Sequence, residues 1–268
     1  MSLGNDPVLA VATRAARTAA SIVVDAARDL KRLPAFSKEH AATVASAKIE
    51  AEDAIVAAIR AAFPDHAILG EESGHITGAR EGAGYRWLVD PIDGMTNFVH
   101  GFQSYAVSLA LIHGSEITHA VVLDLVRDEL FTAAKAKGAT CNGATMHVSV
   151  CLRIEDALVA TINPARDHPK LAAHLASVGA VTARCAGVRQ SGSCALAFAH
   201  LAAGRLDGFW MSGLKPWDIA SGALIVKESG GRIGDFAGGT QFLRTTEVIA
   251  ATPGVFNLLR EAVTSPSI

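Results

Sequence analysis

The sequence predicts an α+β fold in which helix layers pack on two sheets, and three observations predict it. Helical periodicity opens the chain, short apolar strands fill its centre, and α and β segments alternate after them. Half of the 268 residues are hydrophobic and 19% are charged, which supplies a large core and argues against disorder.

The elements follow in order. Asp6-Pro7 reads as an N-cap with proline at the first helical position. Leu9, Ala12, Ala16, Ala19, Val23, Ala27 and Leu30 then recur at steps of three and four, an amphipathic helix that Pro34 closes. A second helix is predicted from Ser46 to Phe63, with Ile55, Val56, Ile59 and Phe63 on one face and Pro64 at its end. Ala67 to Leu69 reads as a strand. Tyr85 to Val89, Tyr105 to Ile112, Ile117 to Leu125 and Leu130 to Ala133 are further short, partly β-branched runs between turn signals. Helical signals return at His168 to Val178, Ser193 to Ala203 and Trp217 to Ser229, alternating with strands near Val159, Val181 and Phe209. Gly231, Gly234, Gly238 and Gly239 read as strand turns, because no Lys-Ser or Lys-Thr follows them as a phosphate-binding loop requires.

Charge and composition narrow the function classes. With 24 Lys+Arg against 26 Asp+Glu the net charge is −2, so there is no basic field to neutralise nucleic-acid phosphates. The longest formally uncharged stretch, Gly94 to Ser115, contains Asn97, His100, Gln103 and His113 and makes a poor bilayer span. Asp6, Arg14 and Arg17 interrupt the N-terminus before any signal-peptide core. Cys141, Cys151, Cys185 and Cys194 lack CxxC spacing and read as reduced thiols. The ten histidines form no HxxxH or HxH pair, which argues against zinc, and Ser191-Gly192-Ser193 lacks a serine-hydrolase frame. A soluble cytoplasmic protein with no nucleic-acid or membrane partner is expected.

The chemistry lies in three acidic segments: Gly70-Glu71-Glu72-Ser73, Trp87 through Asp90-Pro91-Ile92-Asp93-Gly94, and Pro216-Trp217-Asp218. Val89 is expected to end a buried strand, and Pro91 to force a turn in which Asp90 and Asp93 face one small volume. Two carboxylates in one cleft repel unless a proton or cation sits between them. A hard divalent ion held by carboxylates, a backbone carbonyl and water suits such a place. Taken alone, Asp-Pro-x-Asp-Gly also has the composition of a plain turn.

The three segments in this order resemble the inositol monophosphatase family, a branch of the magnesium-dependent, lithium-sensitive phosphatases. Phe131 to Gly143 is similar to that family's hairpin ending in Asn-Gly, Gly192 to Gly208 to its glycine-serine helix and following strand, and Glu228-Ser229-Gly230-Gly231 to the end of its last long helix. The resemblance covers nearly the whole chain. It implies an αβαβα sandwich of the inositol monophosphatase and fructose bisphosphatase type. One phosphatase domain would span 1–268, with helices, first sheet and metal motifs in 1–150 and a second α/β half in 151–268. It also implies a homodimer, a Mg2+ cofactor and hydrolysis of small polyol, sugar or nucleoside monophosphates.

Carried over residue by residue, Glu71, Asp90 and the carbonyl of Ile92 would hold one magnesium. Asp90, Asp93 and Asp218 would hold a second, with Glu71, Asp90 and Asp93 as the catalytic residues. Asp93, Gly94, Met95, Thr96, Ser193, Cys194, Met211 and Asp218 would line the substrate. Three positions depart from the family's pattern. Lys48 stands where it has an aspartate that binds a third metal and partners the water-activating threonine. Met95 stands where it has that threonine. Met211 stands where it has a glutamate for a substrate hydroxyl. Two readings stay open: an active phosphomonoesterase with altered water activation and substrate choice, or a metal- and phosphate-binding member with a regulatory role.

Overall fold

The structure is a computed structural model that describes residues 3–79 and 84–265. The first half contains helices α1 (Pro7–Leu30) and α2 (Lys38–Ala62), then strands β1 (Ala67–Gly70), β2 (Gly74–Ile76) and β3 (Tyr85–Asp93). Short helix α3 (Met95–His100) precedes β4 (Ala106–His113), β5 (Glu116–Asp124), β6 (Glu129–Ala134), β7 (Ala139–Cys141) and β8 (Ala144–Thr145). The second half alternates: β9 (Leu158–Thr161), α4 (Leu171–Thr182), β10 (Gly187–Arg189), α5 (Cys194–Ala202), β11 (Gly208–Ser212) and α6 (Pro216–Glu228). It closes with β12 (Arg232–Gly234), α7 (Phe242–Thr245), β13 (Glu247–Ala251) and α8 (Phe256–Thr264).

Among the described residues the strands form two sheets, ordered β2-β1-β3-β4-β5-β6-β7-β8 and β10-β9-β11-β13-β12. Strand alternation sorts their side chains between layers. Val107, Leu109 and Leu111 join the core made with α1 and α2, whereas Ala106 and the neighbouring Ala120, Val122 and Phe131 join the core made with α5 and α6. In the second sheet Phe209, Met211 and Ala250 share that α5–α6 core, while Trp210, Ile249 and Ala251 pack with α8 and Val181 of α4. The result is the α+β layering αβαβα, with α5 and α6 sandwiched between the sheets. Helix α1 is long and apolar enough by composition to cross a membrane, but Leu9, Ala12, Ala16, Ala19 and Val23 are buried in the α1–α2 core.

Several expectations change. Helix α2 starts at Lys38, where Ser37 accepts from the His40 N–H at 3.1 Å, eight residues ahead of the expected start. Its first turns are rich in alanine and polar residues, which favour helix without producing an apolar stripe. Val181 lies in α4 instead of a strand; the strand is Gly187–Arg189. There the burial of Val181 against α8 outweighs its β-branched preference. Strand β3 does not stop at Val89. It runs to Asp93, and its pairing with β4 shifts register between Asp90 and Asp93, so Pro91 sits in a bulge where no ladder N–H is needed.

Candidate active site

That bulge builds the centre of the site. Asp90 is buried, and its Oδ1 accepts from the Ile92 N–H at 3.0 Å, which fixes the carboxylate against its own turn. Gly94 follows at φ 91°, and a Cβ there would lie 2.8 Å from the Ser104 carbonyl oxygen. Glycine alone accepts both the dihedral and the close approach. Its carbonyl then receives the Phe98 N–H at 3.1 Å and starts α3.

Asp93 meets the start of α5. Its carboxylate accepts from the Ser193 hydroxyl, from the Ala195 N–H at 2.8 Å and from the Cys194 N–H at 3.3 Å. Ser193 in turn caps α5 by accepting from the Leu196 N–H at 3.2 Å. Asp93 therefore supplies the negative charge that a helix N-terminus favours, across a sequence separation of a hundred residues. Asn97 strengthens the joint, donating through Nδ2 to the carbonyls of Ser104 at 2.7 Å and Ser191 at 2.6 Å. Beside it Gly192 has φ 78°, and a Cβ on Gly192 would come within 2.7 Å of that amide nitrogen.

The other two acidic segments arrive from flanking elements. Strand β1 pairs in parallel with β3, Gly70 opposite Val89, so Glu71 follows where Asp90 follows. The Glu71 N–H donates to the Val89 carbonyl at 3.2 Å. Buried Glu52 of α2 holds this corner, accepting from the N–H groups of Glu72 at 2.9 Å and Ser73 at 2.7 Å. One turn earlier on α2, the Lys48 ammonium touches Glu72 and lies 3.7 Å from Glu71 Oε1. Asp218 caps α6 by accepting from the Lys215 N–H at 2.7 Å, and a 2.6 Å hydroxyl contact between Ser108 and Ser221 fastens α6 to β4.

Electrostatics show why these groups belong to one site. Burial, then the charges of Asp93, Glu71 and Asp218, push the Asp90 carboxyl well above the ordinary carboxylate range, against the Ile92 N–H. Burial also raises Asp93 to about 6 despite its bonds to Ser193, Ala195 and Cys194, with Glu71 adding to the rise. Asp218 is raised to about 7 by burial, opposed by the Lys215 N–H and reinforced by Asp93 and Glu71. Such a set of oxygen donors with mutually unfavourable charge fits a hard divalent cation. Among the described residues no three acidic, histidine or cysteine side chains stand close enough to hold an ion as they lie. Each carboxylate is anchored instead to a different partner: Glu71 to Lys48, Asp93 to α5, Asp218 to Lys215.

The structure thus brings Glu71, Asp90, Ile92, Asp93, Gly94, Ser193 and Asp218 together, with Met95 and Thr96 opening α3 beside them. Met211 is corrected. It is 5% exposed and joins the apolar α5–α6 core, so its side chain is packing material and presents little surface to a substrate. The Cys194 side chain is buried in that same core, and its contribution to the site is its backbone N–H. Two residues that organise the site escaped the sequence reading. One is Glu52, for which a carboxylate on the apolar face that bears Ile55 and Ile59 is the visible signal. Asn97 carried none, because its partners Ser104 and Ser191 become neighbours only in three dimensions.

Comparison with known proteins agrees with this geometry. Residues 4–265 match the model of the inositol monophosphatase family. The chain is 43% identical over 258 residues to the Nus factor SuhB of Pseudomonas aeruginosa, covering 94% of each chain. It superposes on the extragenic suppressor protein suhB of Bartonella henselae with a TM-score of 0.87 at 35% identity, covering 97% of this chain and 100% of that one. The inositol monophosphatase of Anabaena gives a TM-score of 0.86 at 30% identity, covering 97% and 96%.

Proposed function

The chain belongs to the inositol monophosphatase family, and from that premise we propose that it is a magnesium-dependent phosphomonoesterase acting on a small polyol, sugar or nucleoside monophosphate. One observation carries the reading: Glu71, Asp90, Asp93 and Asp218 come from three separate segments into mutual repulsion, and burial plus that repulsion raise three of them. Burying unpaired carboxylates is costly without a cation to share. Glu71, Asp90, the Ile92 carbonyl, Asp93 and Asp218 would hold magnesium, which supplies a Lewis acid for a phosphoryl oxygen and lowers the pKa of a water.

The chain's own groups shape what happens around it. Ser193 and the α5 amides hold Asp93 in its ionised orientation, and Gly94 lets the turn after it close against Ser104 and Ser193. Met95 has no hydroxyl to relay a proton, which removes an aid typically worth about 10²–10⁴ in rate. Met211, apolar and packed away, supplies no acceptor for a ring hydroxyl. The site therefore discriminates weakly among polyol phosphates. A cytoplasmic homodimer completes the proposal.

A second reading, binding without efficient turnover, draws on Lys48 and Met95 and on the similarity to SuhB proteins whose name, Nus factor, is not that of a hydrolase. Phosphate release from a panel of esters, with magnesium and with chelator, separates the two. We expect slow, magnesium-dependent release with inositol monophosphate no better than other esters. Magnesium binding without release from any ester would favour the second reading. A kcat/KM for inositol monophosphate far above the rest would contradict the weak discrimination.

A further inference from the structure

Among the described residues every ion pair made by the carboxylates of this site comes from one side chain, Lys48. Its position is built. The side chain is 19% exposed, projects from the interior of a 25-residue helix and meets Glu72, with Glu71 Oε1 at 3.7 Å. The corner that it grips is fixed independently, since Glu52, one turn further along α2, binds the N–H groups of Glu72 and Ser73. Helix α2 therefore presents a carboxylate to the backbone of this loop and an ammonium to its side chains. Two carboxylates around the Lys48 nitrogen favour the charged form of the lysine.

We infer that Lys48 is a resident cation of the acidic site: it neutralises the Glu71–Glu72 corner in the metal-free protein and reduces by one the divalent ions that the site binds. The inference deepens the metal part of the proposed function and rests on it. The physical case is a competition. A divalent ion at Glu71 has to share that carboxylate with an ammonium and sit beside a like charge, whereas an ion among Asp90, Asp93 and Asp218 is farther from Lys48. The same ammonium relieves part of the repulsion that an empty acidic site suffers, which leaves the fold less dependent on metal.

The test reads metal binding and melting, not turnover. Magnesium and manganese are titrated by calorimetry into the wild type, Lys48→Met and Lys48→Arg, and each protein is melted with magnesium and with chelator. We expect Lys48→Met to bind one more ion, or to tighten the weakest site by about tenfold or more, as removal of a like charge a few ångströms away requires. Its Tm should fall in chelator and recover in magnesium by a wider margin than the wild type's, with Lys48→Arg matching the wild type. Where Lys48→Met does not fold even with magnesium, Lys48→Gln repeats the comparison, keeping a donor for Glu72 without the charge. Unchanged stoichiometry, affinity and chelator response in the neutral variant would overturn the inference. A wild type that binds metal but releases no phosphate would overturn the esterase reading and leave this one standing.

Discussion

Replacing Ser193 by alanine isolates the joint between the two halves of the site. The hydroxyl does two things at once: it donates to Asp93 and it caps α5 by accepting from the Leu196 N–H. Loss of a serine cap costs about 0.5–2 kcal/mol, and loss of a hydrogen bond to a charged group about 1.5–3 kcal/mol. Asp93 keeps the amides of Ala195 and Cys194, so the carboxylate is not orphaned and the total stays near the lower end, about 2–3 kcal/mol. A chain of this length shifts about 2 °C in Tm per kcal/mol, which predicts a drop of roughly 4–6 °C. Thermal melting followed by circular dichroism measures it. Ser193→Gly separates the two contributions: glycine is only a few tenths of a kcal/mol worse than serine as a cap, yet it restores no bond to Asp93. It should therefore melt between alanine and wild type. If both variants melt with the wild type, the Ser193–Asp93 contact does not stabilise the joint and the reasoning fails.

Three further outcomes follow from the same geometry. Asp90→Asn should weaken magnesium binding by about tenfold or more, because a carboxylate shared by both expected metal positions loses its charge; unchanged binding in calorimetry would sink the ligand assignment. Gly94→Ala should destabilise by about 1–2 kcal/mol from the left-handed dihedral alone, with more from the 2.8 Å approach to Ser104, and should impair phosphate release; a wild-type Tm and rate would contradict the close-packed turn. Asp6 caps α1 and contacts Lys137 at 2.7 Å. Burial would raise its pKa, but Lys137, the Leu9 N–H and His119 outweigh burial and hold it below the ordinary value. Its charged contribution is then fully present above the unfolded pKa of about 3.9 and is lost as pH falls through the folded value. The Tm gap between wild type and Asp6→Asn should be open at pH 7 and close under acid, and a gap constant across that range would refute the assignment.

Much of the molecule is legible in the sequence, and the reason is local chemistry. Asp6-Pro7 and the Leu9-to-Leu30 spacing specify α1 to within a residue, since cap and periodicity are nearest-neighbour properties. The acidic segments, read with their order, mark the site, because metal and phosphate chemistry needs particular side chains at particular turns. What the sequence does not carry is whatever depends on partners far along the chain. Val181 has the β-branched character of a strand residue, yet burial against α8 makes it helical. Pro91 looks like a strand stop, yet pairing with β4 carries the strand through it as a bulge. Met211 stands where a ligand residue is expected, and the packing of α5 and α6 between two sheets turns it into core. Asp93 reads as a metal ligand, and only the tertiary structure shows that it also caps a helix a hundred residues away. Lys48 stands out in the sequence only as a departure from the family's pattern, and its ion pair with Glu72 exists only once α2 lies over the β1–β2 turn. Side-chain preferences act over a few residues, whereas burial and charge pairing act over a few ångströms, and folding alone decides which residues those ångströms contain.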